Sequence, residues 1–127
     1  MSETQARYRL LVVDDEVEIC NFVKSFFECR GFRVFQAYDG DDAVLQATRE
    51  NPHVVLLDVR MKRPEEGLET LPRIVEAVKG VKVVLTTAVD DDESRERARA
   101  HGAVDYVTKP LVLEDLEAMV MKQVRGG

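Results

Sequence analysis

The sequence lacks any apolar run long enough to cross a membrane. A transmembrane helix needs about 18 or more consecutive apolar residues, whereas the longest apolar runs in these 127 residues are short strings such as Leu10-Leu11-Val12-Val13. No secretory signal peptide precedes this first run. We therefore expect no contact with a membrane and a cytoplasmic location.

Cysteine is scarce as well. Cys20 and Cys29 are the only two cysteines and fall within one predicted helix, where their side chains face different directions and lie too far apart for a disulfide. We expect both to be reduced and to pack as small hydrophobic residues, which fits a cytosolic protein.

Positive charge is outnumbered by negative charge. The chain has 18 Lys and Arg residues against 24 Asp and Glu residues, which gives a net charge of −6. Proteins that bind nucleic acid neutralise its phosphates with clustered cationic side chains, and no such basic stripe is present here. The composition therefore argues against direct binding of nucleic acid.

What the chain does contain is an alternation of short apolar runs and amphipathic segments, without repeats or linkers. This pattern predicts a single α/β domain over residues 1–127, with a core at about 9–124, in which helices cover both faces of a parallel sheet. The predicted strands are 10–13, 32–37, 54–57, 81–85 and 104–108. The predicted helices are about 16–30, a segment capped by Asp41 or Asp42 and ending near Asn51-Pro52, a segment with an apolar stripe from Leu68 to Val78, 90–101, and a last helix with its stripe from Leu113 to Val124.

Two of these helices have unusual sequences. Pro72 lacks a backbone N–H and is tolerated only near the start of a helix, so we expect the third helix to start late or to be kinked. In the fourth helix, Ala98 and Ala100 are the only apolar residues, so we expect this helix to be weakly docked.

Four apolar runs end in reactive polar residues. These residues are Asp14-Asp15, Asp58, Thr86-Thr87 and Lys109-Pro110. Because the carboxyl ends of parallel strands meet at one edge of a sheet, where open α/β proteins place their sites, we expect these groups to share one cleft.

Such a cleft suits a divalent cation and a phosphoryl group. The clustered carboxylates of Asp14, Asp15 and Asp58 repel one another, and a hard cation such as Mg²⁺ relieves this repulsion. A carboxylate such as Asp58 can attack phosphorus as a nucleophile. Lys109 could then pair with phosphoryl oxygens, and Thr87 could donate a hydrogen bond.

Each of these residues, taken alone, also fits a simpler role. The Asp14-Asp15 pair could cap the following helix, Lys109 could be a surface lysine, and Thr87 could reflect strand propensity. The proline after Lys109 argues against the surface role, because a cis Lys109-Pro110 bond would direct the lysine into the cleft.

The order Asp14-Asp15, Asp58, Thr87-Ala88, Tyr106 and Lys109-Pro110 resembles the receiver domain of two-component response regulators. The resemblance extends from about Arg9 to Gln123, and it depends on five motifs in order, none of which is specific alone. It implies a flavodoxin-like (βα)5 fold of the chemotaxis type, a doubly wound parallel sheet with strand order 2-1-3-4-5.

The resemblance implies a phosphoacceptor with a bound metal ion. Asp58 would be the phosphoacceptor, and Lys109 would bind the phosphoryl group. Mg²⁺ would be bound by Asp58, directly by Asp15 and mainly through water by Asp14. The backbone carbonyl of Arg60 would be a further ligand.

The resemblance also implies a switch. Thr87 would be the switch hydroxyl, and Tyr106 would be the aromatic residue that turns inward after phosphorylation. Arg60 and Val89 would tune the rate at which the phosphoryl group is lost.

The segment after Asp58 departs from the family's pattern. Family members usually have Met-Pro two to three residues after the acceptor and then Gly, whereas here Met61 is followed by Lys62-Arg63-Pro64-Glu65-Glu66-Gly67. The proline is displaced and the loop is one residue longer than usual. Leu111 also stands where phenylalanine is commoner. These differences leave the metal ligands in place and give the loop after the acceptor a sequence of its own.

The resemblance implies a signalling switch that catalyses only its own phosphorylation and dephosphorylation. A histidine kinase or histidine phosphotransferase would donate the phosphoryl group. The face formed by the fourth helix, fifth strand and fifth helix would then act on a downstream protein or output domain, or form a phosphorylation-dependent dimer.

Two other functions stay open at this point. One is a pseudo-receiver that acts only as a protein-interaction module, although the complete set of acids and Lys109 argues against it. The other is a Mg²⁺-dependent hydrolase of the haloacid dehalogenase type. Those enzymes place two acids two positions apart after the first strand, which Asp14-Asp15-Glu16 does not match, and 127 residues leave no room for their cap domain.

Overall fold

The computed structural model describes residues 8–88 and 92–126. Its strands are β1 (Tyr8–Val13), β2 (Phe32–Ala37), β3 (Val54–Asp58), β4 (Lys82–Thr87) and β5 (Ala103–Thr108). Its helices are α1 (Val17–Glu28), α2 (Gly40–Glu50), α3 (Glu66–Ala77), α4 (Asp92–Ala100) and α5 (Leu113–Gly126). Within these described residues, no helix is long and apolar enough to span a membrane.

The strands form one parallel sheet in the order β2-β1-β3-β4-β5. The middle residues of the central strands are apolar because both faces of the sheet are covered, as is usual for parallel sheets. All five residues of β3 are buried. The predicted fold class and strand order are therefore confirmed.

Alternate residues of the central strands point into two separate cores. Leu11 and Val13 of β1 pack on the side of α2, α3 and α4, whereas Leu10 and Val12 pack on the side of α1 and α5. A parallel strand alternates its side chains between the two faces of the sheet, so each apolar run fills both cores. The sheet is thus held from both sides, and its carboxyl edge is the part left open for a site.

The predicted ends of two helices are wrong by a few residues. Helix α1 covers a shorter segment than the predicted 16–30, since it runs from Val17 to Glu28. The N-cap of α2 is Asp39, whose side chain accepts a hydrogen bond from the backbone of Asp42, rather than Asp41 or Asp42. The helix begins directly after that cap, at Gly40.

Helix α3 does not start late. It begins at Glu66 and contains Pro72 in its interior. The early start follows from contacts with the preceding loop, because the backbone N–H of Gly67 bonds the carbonyl of Val59 at 2.8 Å. The alternative that we predicted, a local kink at Pro72, stays a prediction.

Helix α4 has few buried side chains, as its composition predicts. Ala98 is its only buried residue among 92–100, and the predicted start at Asp90 lies outside the described residues. The two cysteines are free, but only Cys20 is buried, so the predicted burial of Cys29 is wrong. Cys29 directly follows the last residue of α1 and lies exposed at its C-cap.

Candidate functional site

The reactive residues gather at the carboxyl edge of the sheet. Asp14 follows β1, Asp58 is the last residue of β3, Thr87 is the last residue of β4, and Lys109 follows β5. The register of the parallel strands fixes their relative depth, since Asp58 lies opposite Thr86 and Thr87 lies opposite Thr108. The sheet therefore brings all four groups into one cleft, as predicted.

Lys109 links the carboxylates of this cleft. Its Nζ atom lies 2.9 Å from Oδ2 of Asp14, 3.3 Å from Oδ2 of Asp58 and 3.8 Å from Oε1 of Glu16. Its backbone N–H donates to the carbonyl of Thr87 at 2.7 Å, and the Lys109-Pro110 peptide bond is cis, as predicted. The surface role that we considered for this lysine is therefore wrong.

The two adjacent aspartates differ in their surroundings. Asp14 is 2% exposed, whereas Asp15 is exposed to solvent. Oδ1 of Asp14 accepts a hydrogen bond from the backbone of Glu16 at 2.9 Å, but the N-cap of α1 is Glu16 itself, with no side-chain cap bond. Neither aspartate therefore caps the helix, and both remain available to the cleft.

The carboxylates of the cleft fit a divalent cation. One oxygen from each of Asp14, Asp15 and Asp58 lies within 4.8 Å of the others. Three carboxylate oxygens at this separation form a hard donor set that suits Mg²⁺, which takes a few carboxylates and completes its shell with water and phosphate oxygens. The predicted role for the Arg60 carbonyl stays a prediction.

The electrostatics of the cleft favour an added positive charge. Burial, reinforced by the neighbouring Asp14 carboxylate, raises the pKa of Asp58 to about 7 even though Lys109 opposes the change. Burial by itself would lower the pKa of Lys109, but its hydrogen bonds and ion pairs with Asp14 and Asp58 raise it. The carboxylates of Asp14 and Asp58 are buried close together, and a cation bound between them would add to the positive charge that Lys109 supplies.

The predicted switch residues lie beside the cleft. Thr87 is 2% exposed. Tyr106 is half-buried against the core, and the guanidinium carbon of Arg95 in α4 lies 5.1 Å from the centre of its ring. A cavity of about 100 Å³ between α4 and β5 is lined partly by these two side chains. The predicted tuning residue Val89 lies outside the described residues, whereas Arg60 is exposed at the mouth of the cleft.

Glu66 was missed by the sequence prediction. It is 4% exposed, and its carboxylate accepts hydrogen bonds from the backbone N–H groups of Gly40 at 2.7 Å, Lys62 at 3.0 Å and Arg63 at 3.4 Å. A glutamate in a polar loop usually lies in solvent. Its burial depends on backbone groups of α2 and of the loop after β3, which no local sequence signal indicates.

Comparison with known proteins assigns the chain to a family. The sequence pattern of the response regulator receiver domain matches residues 10–121. The transcriptional regulatory protein TrcR of Mycobacterium tuberculosis is 36% identical over 117 residues, which cover 92% of this chain and 45% of that protein. The chain thus spans less than half the length of the curated relatives that it matches.

Solved structures agree with this assignment. A two-component response regulator from Clostridium difficile superposes with a TM-score of 0.87 at 25% identity, covering 94% of this chain and 97% of that one. The beryllofluoride-activated receiver domain of DrrB superposes with a TM-score of 0.81 at 34% identity, covering 92% and 97%. The fold and the acidic cleft define an α/β protein of the CheY-like class. The chain belongs to the response regulator receiver domain family of two-component signalling.

Proposed function

We propose that the protein is a phosphorylation-driven signalling switch, in which Asp58 accepts a phosphoryl group from a histidine kinase or histidine phosphotransferase. The observation that carries this proposal is the contact of Lys109 with both Asp14 and Asp58, in a cleft where three carboxylates converge. A half-buried lysine shared by two carboxylates supplies the positive charge that a phosphoryl group needs, and the acids supply a cation site.

The transfer follows from the placement of these groups. An oxygen of the Asp58 carboxylate attacks phosphorus, the new O–P bond forms as the N–P bond of phosphohistidine breaks, and the imidazole leaves with the electron pair. Lys109 pairs with the phosphoryl oxygens, and the hydroxyl of Thr87 donates a hydrogen bond to one of them. A Mg²⁺ ion held by Asp14, Asp15, Asp58 and the carbonyl of Arg60 would neutralise charge on the phosphoryl group.

The output of the switch would be the face made of α4, β5 and α5. Phosphorylation adds negative charge beside Thr87, and a shift of that hydroxyl frees space for Tyr106 to turn inward. Helix α4 contributes only Ala98 as a buried residue, so a small free-energy change can displace it. We propose that this face acts on a downstream protein or output domain, or pairs with a second phosphorylated copy.

Within this proposal, the protein catalyses only its own phosphorylation and dephosphorylation. It needs Mg²⁺ but turns over no external substrate, and binding of nucleic acid or membrane is not part of its role. The cytoplasmic location expected from the sequence and the single-domain boundaries stay predictions.

Phosphorylation by acetyl phosphate tests the proposal. The wild type and the variant Asp58→Asn are incubated with acetyl phosphate and Mg²⁺, and intact-mass spectrometry measures the added phosphoryl group. We expect the wild type to be modified once and the variant to remain unmodified. The variant Asp105→Asn is a matched control, because Asp105 is an aspartate of β5 whose carboxylate bonds the backbone of Tyr106 instead of facing the carboxylate cluster.

Two results would overturn the proposal. Equal modification of the wild type and Asp58→Asn would show that another residue is the acceptor. Steady turnover of a generic phosphomonoester, lost in Asp58→Asn, would identify a phosphatase instead of a switch.

A further inference from the structure

We propose that Glu66 is a positioning residue for the cation site, because its buried carboxylate fixes the loop that presents the Arg60 carbonyl. The loop is the segment of residues 59–65 between β3 and α3. This inference rests on the proposed function, since it concerns a ligand of the Mg²⁺ ion.

The first step is the environment of Glu66. Its side chain is buried, and its two carboxylate oxygens bond backbone groups on two different elements: Oε2 accepts from Gly40, and Oε1 accepts from Lys62 and Arg63. Hydrogen bonds between a carboxylate and backbone N–H groups are short and strong. A buried carboxylate is costly unless it is fully bonded, so the loop is constrained to keep these amides directed at Glu66.

The second step connects these amides to Arg60. The backbone N–H of Met61 donates to the carbonyl of Arg63 at 3.2 Å. The carbonyl of Arg60 and the N–H of Met61 belong to one planar peptide unit, so the bond at Met61 fixes the direction in which the Arg60 carbonyl points. Glu66 holds Lys62 and Arg63, and through them it holds this peptide unit.

The third step concerns the start of the loop. The N–H of Val59 bonds the carbonyl of Thr86 at 2.9 Å, and the carbonyl of Val59 accepts from Gly67 at 2.8 Å. The start of the loop is therefore tied to β4 and α3 through Val59, and the residues that follow it are held by Glu66. A loop one residue longer than usual has more conformational freedom to restrict, which gives the buried carboxylate a role that a shorter loop would not need.

The fourth step is the contact with α2. Gly40 is the first residue of α2 and has no Cβ, and a Cβ there would collide with the hydroxyl of Thr70 and lie 3.2 Å from Oε2 of Glu66. The glycine lets the helix approach the carboxylate, and the N-terminus of a helix favours a negative charge. Glu66 is thereby anchored to a rigid element on one side while it holds the loop on the other.

The test compares Glu66→Gln and Glu66→Ala with the wild type. Two quantities are measured by NMR: the carbonyl ¹³C shift of Arg60 without metal, and the affinity for Mg²⁺ alone from a titration of amide shifts. We expect the Arg60 shift to change in both variants. We expect Glu66→Ala to weaken Mg²⁺ binding by about tenfold, as for other residues that orient a metal ligand, and Glu66→Gln to weaken it less, because an amide keeps one of the two acceptor oxygens.

Two control variants separate positioning from stability. Asp39→Ala removes the N-cap bond of α2 to Asp42 and a long, exposed ion pair with the Lys62 ammonium, but it leaves the backbone amides of Lys62 and Arg63 bonded to Glu66. Glu69→Gln breaks an exposed ion pair of 2.6 Å with Arg63 on the same loop. We expect both controls to bind Mg²⁺ as the wild type does, although Asp39→Ala should be less stable.

Each outcome is decisive for one of the two proposals. If the wild type binds no Mg²⁺, the proposed function is overturned. If the wild type binds Mg²⁺ and both Glu66 variants bind it equally well, the role of Glu66 is overturned and the proposed function stands. If Asp39→Ala weakens binding as much as Glu66→Ala, the effect is one of general stability, which also overturns the role of Glu66. Should Glu66→Ala fail to fold, the conservative Glu66→Gln decides the matter by the same two measurements.

Discussion

The carboxylate of Asp58 is 3% exposed and lies beside the equally buried carboxylate of Asp14. Two buried carboxylates with one lysine between them leave a negative charge that the folded protein must accommodate. That arrangement suits a site which receives a cation and a phosphoryl group, and it destabilises the fold while the site is empty of both. The position of Asp58 therefore costs stability, which fits the acceptor role that we propose for it.

The first prediction is that Asp58→Asn stabilises the protein against urea in the presence of EDTA. The pKa of Asp58 is raised to about 7 by burial and by Asp14. Folding therefore favours the protonated form of Asp58, and the wild type loses stability as the pH rises through about 7. We expect the free energy of unfolding of Asp58→Asn to exceed that of the wild type only slightly near pH 4, and by about 1–3 kcal/mol at pH 8.

Two comparisons sharpen this first prediction. Asp15→Asn removes a carboxylate of the same cluster that is exposed to solvent, so it should raise the free energy of unfolding by less than Asp58→Asn does. Addition of Mg²⁺ should reduce the difference in free energy of unfolding between the wild type and Asp58→Asn, because the ion stabilises only the intact carboxylate cluster. A wild type that is more stable than Asp58→Asn in EDTA at pH 8 would contradict the expectation.

At the scale of elements, the strands and the site could be predicted because their signals are local. Strand β2 has the predicted bounds, Phe32 to Ala37. Asp58 and Lys109 meet because parallel strands place their carboxyl ends together, which needs no knowledge of side-chain packing.

The features that sequence could not predict depend on contacts between distant residues. The early start of α3 follows from the bond between Gly67 and Val59, and the burial of Glu66 follows from its bond to Gly40, which is 26 positions away in the sequence. A residue's propensity carries no information about such partners. Asp39 was not recognised as a cap for a related reason, since Asp39-Gly40 matches a turn as well as it matches the start of a helix.

The second prediction concerns the docking of α4. Arg97 in α4 forms two hydrogen bonds with the carboxylate of Glu65 in the loop after β3, at 2.8 and 3.0 Å. Ala98 is the only buried residue among 92–100, so we expect the loss of this ion pair between α4 and the loop to affect the helix measurably. We expect Arg97→Gln to speed amide exchange in α4 several-fold without changing exchange in α1.

The matched control for α4 is Arg99→Gln, which removes the same charge from the same exposed helix without touching Glu65. High salt should reduce the effect of Arg97→Gln, because the ion pair is exposed to solvent and is screened. If Arg97→Gln and Arg99→Gln speed exchange equally, the helix is held by its overall charge and not by the pair with Glu65.

At the scale of the whole molecule, the site lies between two different surfaces. On one side, α4 and β5 carry Arg95 and Tyr106. On the other side, α1 and the segment after β5 form an apolar groove of about 240 Å³, which includes Phe22 and Pro110. Lys109 lines this groove and also contacts Asp58. A phosphoryl donor and an output partner can therefore use separate faces.

The third prediction is that beryllofluoride with Mg²⁺ changes amide exchange most strongly in residues 92–106. This reagent mimics a phosphoryl group on a carboxylate, so its effect should pass from Asp58 through Thr87 to Tyr106 and α4. Hydrogen exchange with mass spectrometry measures the change, and Asp58→Asn provides the baseline without the adduct. A largest change in α1 or α2 would place the output face elsewhere.

The last prediction concerns how a donor protein reaches Asp58. The phosphoryl group must come within bonding distance of a carboxylate that is almost fully buried, so a protein donor has to lie against the rim of the cleft. On the α1 side of that rim, Phe22 is 62% exposed and lines the apolar groove together with Lys109 and Pro110, and an exposed apolar patch beside a site is typical of a protein contact.

We therefore expect Phe22→Ala to slow phosphotransfer from the autophosphorylated core of a histidine kinase that is active on the wild type. The same variant should be phosphorylated by acetyl phosphate at the normal rate, because that small donor makes no contact with α1. Leu45→Ala is the matched control, since Leu45 is 55% exposed but lies on α2. Equal losses with both donors would mean that Phe22 supports the fold, whereas an unchanged rate with the kinase would show that the donor approaches from another side of the cleft.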